Sequence, residues 1–374
     1  MEPNLAWLTT ACTKIDRMSP RPVYMQISDY IHQKILAKEL EGRLPSERIL
    51  AEAFGVERGT IRKALDELVR YQAVVKFAKT GYFVNANLPG VRARPVVGCL
   101  VSNIRSPHFA KLAGEAQREA AKLGVDLIIG TTDRRHANEV EYLRLFRELK
   151  VAGVIISPSS GESEEADRAL EELVAANIPV VYVSRYKEMP VLDVVAADSF
   201  RGTKMMVEYL ASIGHKRIGY IGRSLTLAED PRLRGYQQAV HDLGLDSDPQ
   251  LILTGPGFGQ EAGYHAVDRL LKLDKHPTAV FAFDDLVALG AMQRLQECGF
   301  RIPEDMTVAG FDNLDMSAYW SPPLTTVDCS VSAMAQAAIN LLFKRIRGDR
   351  SGFPQKILIE PTLVIRKSSA EIRN

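Results

Sequence analysis

Cysteine is scarce in this sequence, and histidine shows no metal-ligand spacing. The four cysteines lie far apart and form no CxxC pair: Cys12, Cys99, Cys298 and Cys329. This arrangement argues against a zinc site or a disulfide framework and suits a reducing cytoplasm. The seven histidines are scattered along the 374 residues. The sequence therefore predicts no metal and no cofactor.

Long apolar runs and catalytic motifs are also missing. No run approaches the roughly 20 residues that a membrane-spanning helix needs, and the N-terminus lacks a basic start followed by an apolar core. We therefore expect a cytoplasmic protein that makes no membrane contact. The sequence contains no G-x-S-x-G elbow, no H-E-x-x-H and no P-loop, which argues against an enzyme.

The sequence has almost no excess of one charge. Its formal net charge is +1, with 25% charged and 46% hydrophobic residues, which is ordinary for a globular protein. Affinity for nucleic acid would have to come from a local basic patch. The length of 374 residues allows two or three domains with a large buried core.

Residues 44–68, LPSERILAEAFGVERGTIRKALDEL, carry the strongest local pattern in the chain. Ser46 can cap a first amphipathic helix, Gly55 ends it, and a second helix starts near Gly59. Ile61 and the apolar residues at helical spacing after it face inward, whereas basic residues stay at the exposed N-terminal end. The pattern predicts a helix-turn-helix whose second helix can enter a DNA major groove. The alternative is an ordinary helical hairpin with a solvated polar face.

Three features of residues 22–84 occur together: the motif LPSER-x-LA-x6-R-x-T-x-R-x-AL-x-x-L, the helical segment RPVYMQISDYIHQKIL before it, and the strand Tyr82-Phe83-Val84 after it. Together they resemble the winged DNA-binding domain of GntR-type transcription regulators. The resemblance implies that operator DNA is contacted by Arg48, Arg58, Thr60, Arg62, Lys63, Lys79 and Gly81. Two positions depart from the family pattern, since Glu57 replaces a Ser or Thr and Lys79 replaces a wing glycine.

From residue 96 onward, short apolar runs alternate with helical segments. The runs are VVGCLV, VDLIIG, GVIIS, PVVYV, RIGYIG, LILTG, TAVFAF and MTVAGF. This alternation predicts parallel sheets covered by helices on both faces, and two series of runs predict two α/β lobes with a cleft at the strands' carboxyl ends. We expect a loosely attached leader at residues 1–20, a winged helix-turn-helix at 21–86, a linker at 87–95, and a two-lobed effector-binding and dimerisation domain at 96–370.

Five segments of this second region carry a further resemblance: VGCLVSNIRSPHFAKL, GHKRIGYIG, RLRGYQQAV, FAFDDLVALGAM and VAGFDNLDMSAYWSPPLTTV. They resemble the effector-binding half of LacI-type repressors, which is similar to periplasmic sugar-binding proteins. The family fold implies three crossings of the chain between lobes, near Ser184, near residues 315–323 and near residues 348–354.

Polar and aromatic residues at the ends of predicted strands are the candidate effector contacts. Asp284 and Asp312 each follow a strand, and a carboxylate can accept hydrogen bonds from vicinal sugar hydroxyls. Helix capping is the alternative interpretation, and we favour it for Asp285. The LacI-type resemblance aligns Asp284, Asp312 and Arg232 with ligand-contacting positions. The remaining candidates are His108, Phe109, Asp133, Ser184, Arg185 and Phe258.

Two of these candidates leave the chemistry of the ligand open. Phe109 can pack against a sugar or a nucleobase, or it can be an ordinary core residue, and the same holds for Phe258. Ser184 stands where many LacI-type relatives carry Asp. The ligand is therefore expected to be less rich in hydroxyl groups on that side, or acidic.

The combined interpretation is a ligand-responsive transcription regulator of the α/β class, with a GntR-type winged helix joined to a LacI-type sensor. It is similar to sugar-responsive AraR-like repressors. Expected partners are double-stranded operator DNA, a small effector (a sugar first), and a second copy of the chain in a homodimer. Three alternatives stay open: a regulator that responds to a nucleobase or another non-sugar metabolite, a sugar-modifying enzyme, and a plain binding protein.

Overall fold

The computed structural model describes residues 6–8, 15–37, 39–40, 42–77, 81–85, 95–187, 192–223, 230–255 and 259–372. These residues belong to two compact units. The first comprises Met1–Gly98, Gln117–Ile128 and Leu149–Gly153, and the second comprises Cys99–Ala116, Ile129–Glu148 and Val154–Asn374. Among the helices of the described ranges, none combines the length and the apolar composition that crossing a membrane requires.

The N-terminal domain is a winged helix-turn-helix, as predicted. Its elements are α1 (Val23–Leu36), α2 (Glu47–Phe54), α3 (Arg58–Arg70), β1 (Val74–Phe77) and β2 (Gly81–Val84). Ser46 caps α2 by accepting a hydrogen bond from the Ile49 amide at 3.4 Å. Gly55 ends α2 in the left-handed conformation, with φ of 63°. Strands β1 and β2 pair antiparallel and form the wing.

The core of this domain buries one face of each helix. Ile27 and Ile31 of α1, Leu50 of α2 and Leu65 of α3 are completely inaccessible to solvent. These positions recur at three- and four-residue spacing within the helices, so each apolar stripe faces the other two helices. The opposite face of α3 stays exposed because it carries the charged residues.

Part of the leader packs on this core, although we expected it to be loosely attached. A short 3-10 helix, Ala6–Leu8, places Trp7 and Leu8 in the core cluster. The Tyr30 hydroxyl donates to the Trp7 carbonyl oxygen at 3.0 Å, and the two rings lie 6.2 Å apart. The expectation was wrong for these residues because Trp7 contributes a large apolar surface that the small domain buries.

The sensor region contains two six-stranded sheets with helices, as predicted. The first sheet has the order β13-β7-β6-β5-β3-β4, and the second has the order β14-β12-β11-β10-β8-β9. All five pairs of the second sheet are parallel except β12 with β14. The strands are β3 (Val96–Val101), β4 (Asp126–Thr131), β5 (Gly153–Ile156), β6 (Val180–Val183), β7 (Asp193–Ala197), β8 (Ile218–Ile221), β9 (Ile252–Leu253), β10 (Ala279–Ala282), β11 (Thr307–Phe311), β12 (Thr325–Asp328), β13 (Lys356–Ile359) and β14 (Thr362–Val364).

The helices lie between these strands in the chain, which is the alternation that the sequence predicted. They are α4 (Pro107–Lys122), α5 (His136–Glu148), α6 (Glu164–Ala175), α7 (Ser199–Ser212), α8 (Pro231–Asp242), α9 (Gln260–Leu270), α10 (Asp285–Glu297) and α11 (Val331–Ile346). Helix α11 follows the second sheet in the chain but packs on β6, β7 and β13 of the first sheet.

The chain passes between the two sheets at three places. It leaves β7 through Asp198 and enters α7 and β8, and it leaves β12 through residues 329–330 and enters α11 and β13. It returns from β13 through residues 360–361 to β14. Each crossing therefore begins directly after a strand, namely β7, β12 or β13.

The three crossings that the LacI-type resemblance implied are wrong in position. Ser184 precedes β7, which still belongs to the first sheet, and residues 315–323 precede β12, which still belongs to the second. Residues 348–354 lie between α11 and β13, both on the first sheet. Each crossing follows one further strand, β7, β12 or β13, and therefore lies one element later in the chain than the resemblance implied.

Candidate DNA-binding surface and effector cleft

The N-terminal turns of α3 present the predicted base-contacting side chains. Arg58, Arg62 and Lys63 are exposed and Thr60 is half-buried, while Ile61 between them is completely buried. Arg48 on α2 is also exposed. This is the arrangement that a recognition helix needs, because its apolar face is held by the core and its polar face is free for a groove.

Both recognition-helix arginines contact Glu47, a residue that the sequence pattern did not single out. Arg62 donates through Nη2 and Nε to the two Glu47 carboxylate oxygens at 3.0 and 3.3 Å, and Arg58 Nη2 lies 3.6 Å from Glu47 Oε2. The hydrogen bond from Arg62 lowers the pKa of the Glu47 carboxyl. Glu47 therefore orients Arg62 before DNA arrives. Its role follows from a contact across 15 residues of sequence, which helical spacing does not reveal.

The wing carries one predicted glycine and one additional basic residue. Gly81 begins β2 with φ of 108°, a conformation that side chains other than glycine rarely adopt. The exposed Arg43 lies beside it, with Nε and Nη2 3.8 Å from the position that a Gly81 Cβ would take. Lys79, another predicted contact to operator DNA, lies outside the described residues. Arg43 is thus a described cation at the wing that the sequence interpretation missed.

Asp312 and Arg232, the two central effector candidates, contact each other in the second unit. Asp312 follows β11, and its Oδ1 accepts from Arg232 Nη2 at 3.0 Å. The Arg232 guanidinium also donates to the Phe283 carbonyl oxygen and lies 3.8 Å from the centre of the Phe311 ring. Burial lowers the pKa of Arg232, but the Asp312 carboxylate reverses that effect, so the net shift is upward. Arg234, two residues along α8, is exposed.

His108 connects the two sheets at this point. Its Nε2 lies 2.9 Å from Ser184 Oγ, at the end of β6 in the first sheet. Its Nδ1 lies 3.8 Å from Asp312 Oδ1, at the end of β11 in the second sheet. Burial lowers the pKa of the His108 imidazole, so a neutral ring with one donor and one acceptor occupies the cleft at neutral pH. His108 and Ser184 were both predicted from sequence to be effector contacts.

Arg185 and Phe109, which were both predicted to contact the effector, lie in contact with each other. The Arg185 guanidinium lies 5.4 Å from the centre of the Phe109 ring, a cation–π contact. Phe109 is only 4% exposed. The core interpretation that the sequence left open for Phe109 therefore describes its ring better than an open sugar-stacking face. Phe258, the other predicted aromatic contact, lies outside the described residues.

Asp284, and not Asp285, caps the helix that follows β10. Asp284 is the N-cap of α10, and its Oδ1 accepts from the Val287 amide at 2.8 Å. Asp285 is buried; one of its carboxyl oxygens accepts from the Leu314 amide at 2.7 Å, and the other lies 2.5 Å from Thr326 Oγ1. The capping interpretation of Asp285 was wrong because the structure binds this carboxyl group to the neighbouring strand and loop.

The buried Asp285 carboxyl gives the sensor a pH-dependent stability. Burial raises the pKa of Asp285 from 3.8 to about 8. The folded state therefore holds a proton that the unfolded chain releases, and this stabilisation is complete below pH 3.8 and is lost as the pH rises through about 8. We expect the free energy of unfolding to fall more steeply between pH 5.5 and 9 in the wild type than in Asp285→Asn, measured by urea denaturation. Asp274→Asn, at an exposed position of the same lobe, should keep the wild-type slope; parallel slopes for all three would contradict the assignment.

Asp133 and a surface pocket along α8 contribute less to the cleft. Asp133 is exposed after β4, with φ of 49°, and accepts from Thr131 Oγ1 at 3.1 Å. A pocket of about 390 Å³ lies along α8, where Tyr236 and His241 line it. Among the described residues that line that pocket, none is a predicted effector contact. The polar contacts at the sheet ends, and not that pocket, therefore identify the candidate effector site.

Cys329 completes a cluster of three side chains whose donor atoms are of the kinds that bind metal ions. His108 Nδ1, Asp312 Oδ1 and Cys329 Sγ lie 3.8 to 4.0 Å from one another. Two physical facts oppose a metal ion: Arg232 already donates to the same Asp312 oxygen, and burial raises the pKa of the Cys329 thiol well above its usual value. A thiol must ionise to bind zinc. The cluster is therefore better suited to hydrogen bonding with an organic ligand.

Comparisons with known proteins match two separate parts of the chain to two different families. Residues 23–84 match the bacterial regulatory proteins of the gntR family, and residues 207–369 match the periplasmic binding protein-like domain. The HTH-type transcriptional regulator DegA of Bacillus subtilis (strain 168) is 30% identical over 333 residues, covering 86% of this chain and 97% of DegA. The chain belongs to the HTH-type transcriptional regulators. It is a regulator and not an enzyme, which confirms the interpretation from the sequence.

Two further relatives, a repressor and a LacI family regulator of known structure, are also similar to this chain. The HTH-type transcriptional repressor PurR of Actinobacillus pleuropneumoniae serotype 3 (strain JL03) is 33% identical over 275 residues, covering 73% of this chain and 80% of PurR. The structure of a LacI family transcriptional regulator from Enterococcus faecium with bound ribose superposes with a TM-score of 0.66 at 27% identity, covering 74% of this chain and all of that one. The GntR label therefore fits the DNA-binding domain, whereas the sensor is LacI-type.

Proposed function

We propose that this regulator represses carbohydrate-utilisation genes and that a small sugar or sugar derivative, bound between the two sheets, changes its affinity for operator DNA. The observation that carries the proposal is the contact between Asp312 and Arg232 beside His108, at the carboxyl ends of strands from both sheets. Such strand ends are where open α/β sheets bind ligands. The Enterococcus faecium relative holds ribose, and a sugar is therefore the first ligand class to test.

The chemistry of these side chains supports a polyhydroxylated ligand. Asp312 and Asp284 each keep carboxylate lone pairs that can accept from hydroxyl groups, and Arg232 can donate to ring or hydroxyl oxygens. His108 offers one donor and one acceptor. Because these residues come from both sheets, a ligand that contacts all of them favours one arrangement of the lobes over the others.

The experiment is a thermal-shift screen followed by an operator titration. Monosaccharides, disaccharides, sugar phosphates and purines are added singly to the full chain, and a ligand of the folded state raises the unfolding midpoint by mass action. Each ligand found is then added to the regulator bound to an operator selected from random DNA. A change in operator affinity with a sugar supports the proposal. A response to purines alone would contradict its carbohydrate part.

We further propose that the regulator binds its operator as a homodimer, since one winged helix reads only a short half-site. Sedimentation at micromolar concentration, with and without operator, should show a dimer; a monomer under both conditions would contradict this. Helix α4 does not supply the dimer contact through its apolar side chains Phe109, Leu112 and Ala116, because these are buried within the protomer. Other surfaces have to supply the apolar area.

Arg62→Ala tests the docking of α3. Arg62 is 57% exposed and oriented by Glu47, so a bidentate contact with a base edge costs little additional ordering. We expect the substitution to weaken specific operator binding by about 1–3 kcal/mol in a fluorescence-anisotropy titration. Arg70→Ala, at the C-terminal end of the same helix, is the matched control and should leave the affinity nearly unchanged. Equal losses in both variants would mean that α3 does not enter the groove by its N-terminus.

A further inference from the structure

Two arginines from opposite sheets converge on one hydroxyl group in the effector cleft. Arg185 follows β6 of the first sheet, and its Nη1 donates to Ser160 Oγ at 3.1 Å. Arg223 follows β8 of the second sheet, and its Nη2 donates to the same oxygen at 3.4 Å. Neither Ser160 nor Arg223 was singled out by the sequence. A serine oxygen has two lone pairs, so these two guanidinium groups use its full capacity to accept.

Guanidinium groups from both sheets lie close together at this point. Arg232 has Asp312 as its carboxylate partner, whereas in the described part of the chain no carboxylate forms an ion pair with Arg185. Burial lowers the pKa of Arg185 to about 9, and the nearby Arg223, Arg232 and Arg134 lower it as well. Burial lowers the pKa of Arg223 to about 10; the Asp284 carboxylate opposes this shift, whereas Arg134 and Arg232 add to it. Both groups stay charged at neutral pH and repel each other.

An anion would relieve this repulsion better than the serine does. A carboxylate or a phosphate offers several lone pairs, and a guanidinium can donate two parallel hydrogen bonds to either group. Two buried hydroxyl groups provide further donors nearby in the fold. Ser102 and Ser157 follow β3 and β5 at the carboxyl end of the first sheet, and their Oγ atoms make no hydrogen bond within the described residues.

We propose that the effector is an acidic sugar whose oxyanion lies between Arg185 and Arg223, displacing Ser160 Oγ, while its hydroxyl groups contact Asp312 and Asp284. This inference rests on the proposed function and narrows its ligand class. The oxyanion is a carboxylate or a phosphate, and both satisfy the same guanidinium groups. An anion that contacts both arginines connects the first sheet to the second, so the charged group itself favours the closed arrangement of the lobes.

Matched sets of neutral and acidic sugars separate the effect of the charge on affinity from the effect of the carbon skeleton. Isothermal titration of the full chain is carried out with D-glucose, D-glucuronate and D-glucose 6-phosphate, and with D-ribose, D-ribonate and D-ribose 5-phosphate. We expect one acidic member to bind at least tenfold more tightly than its neutral counterpart. The member that binds best identifies the oxyanion as carboxylate or phosphate. A neutral sugar that binds as tightly as both of its acids would overturn the inference and leave the proposed function intact.

Variants of the two arginines test their role directly. Arg185→Gln and Arg223→Gln should each weaken binding of the acidic sugar about 30-fold or more, because a buried charged hydrogen bond is lost. Arg185→Lys keeps the charge without the fork of donors and should lie between the wild type and Arg185→Gln. The matched control is Arg234→Gln, at an exposed position on α8, which should bind as the wild type does. Retained affinity in both glutamine variants would refute the assignment.

Inorganic phosphate provides a readout that does not depend on any sugar. At constant ionic strength, replacing chloride by phosphate should raise the unfolding midpoint of the wild type and of Arg234→Gln, but not of the double variant Arg185→Gln/Arg223→Gln. Without phosphate, the double variant should unfold at or above the wild-type midpoint, since the mutual repulsion is gone. A phosphate effect that is equal in all three proteins would overturn the oxyanion site. If no sugar of the panel binds while phosphate acts through the arginines, then the carbohydrate part of the proposed function fails and the oxyanion site stands.

Discussion

Asp312→Ala is expected to abolish the response of operator binding to the effector and to leave operator affinity itself near the wild-type value. Asp312 lies in the second unit, where its carboxylate contacts Arg232 and approaches His108. The recognition helix α3 belongs to the first unit. Coupling between an effector site and a DNA site is typically about 1–3 kcal/mol, or roughly 5- to 150-fold in affinity. The variant should lose all of this change.

The measurement is an anisotropy titration of labelled operator with and without the effector found in the screen. Asp315→Ala is the matched control, because Asp315 lies three residues along the chain and its side chain is 84% exposed. It should retain the full response. Asp312→Asn keeps the shape of the side chain and should show an intermediate response, since the amide still accepts one hydrogen bond. If Asp312→Ala changes its operator affinity with effector as the wild type does, then the effector binds elsewhere and these residues are structural.

The winged helix could be predicted almost completely because its information is local. Ser46, Gly55 and the apolar spacing of α2 and α3 each act within a few residues, so the sequence displays them directly. Glu47 is different, since its partners Arg58 and Arg62 belong to the next helix. A cap or a helical stripe can be recognised along the chain, whereas an ion pair between helices requires the fold.

The candidate effector site was predictable in part for a similar reason. Polar residues after parallel strands meet at one edge of a sheet, so Asp284, Asp312 and Ser184 could be named from the pattern of strands. Ser160, Arg223 and Cys329 gain their importance only from side chains far away in sequence: Ser160 bonds to Arg185 and Arg223, and Cys329 approaches His108. No spacing rule relates such residues.

Strand β7 shows why some elements were missed. It reads DVVAA and begins with Asp193, a residue that normally indicates a loop. In the fold, the Asp193 side chain is completely buried and forms an ion pair with Arg345 of α11. The charge is neutralised by a residue about 150 positions away in the chain, so the strand tolerates it. From its sequence neighbours alone, Asp193 would be expected in a loop exposed to solvent.

That ion pair carries the largest stability effect we expect. Arg345 donates through Nε and Nη2 to the two Asp193 oxygens at 2.7 and 3.0 Å, and its Nη1 donates to the Asp349 and Ser351 carbonyls. The Gln355 amide, just before β13, also donates to Asp193 Oδ1 at 2.7 Å. One carboxylate therefore joins α11, β7 and β13, which are the elements around the return of the chain to the first sheet.

Arg345→Met should lower the free energy of unfolding by about 3–5 kcal/mol, because it leaves the Asp193 carboxylate buried without its cation. Urea denaturation followed by circular dichroism measures this loss. Arg347→Met, at the exposed C-cap position of α11, is the matched control and should change stability by less than about 0.5 kcal/mol. The double variant Asp193→Asn/Arg345→Met should recover part of the loss, since the uncompensated charge is gone while the carbonyls of residues 349 and 351 still lack their donor. A single variant as stable as the control would show that water or a rearranged loop satisfies Asp193, and that the pair does not hold the two strands to α11.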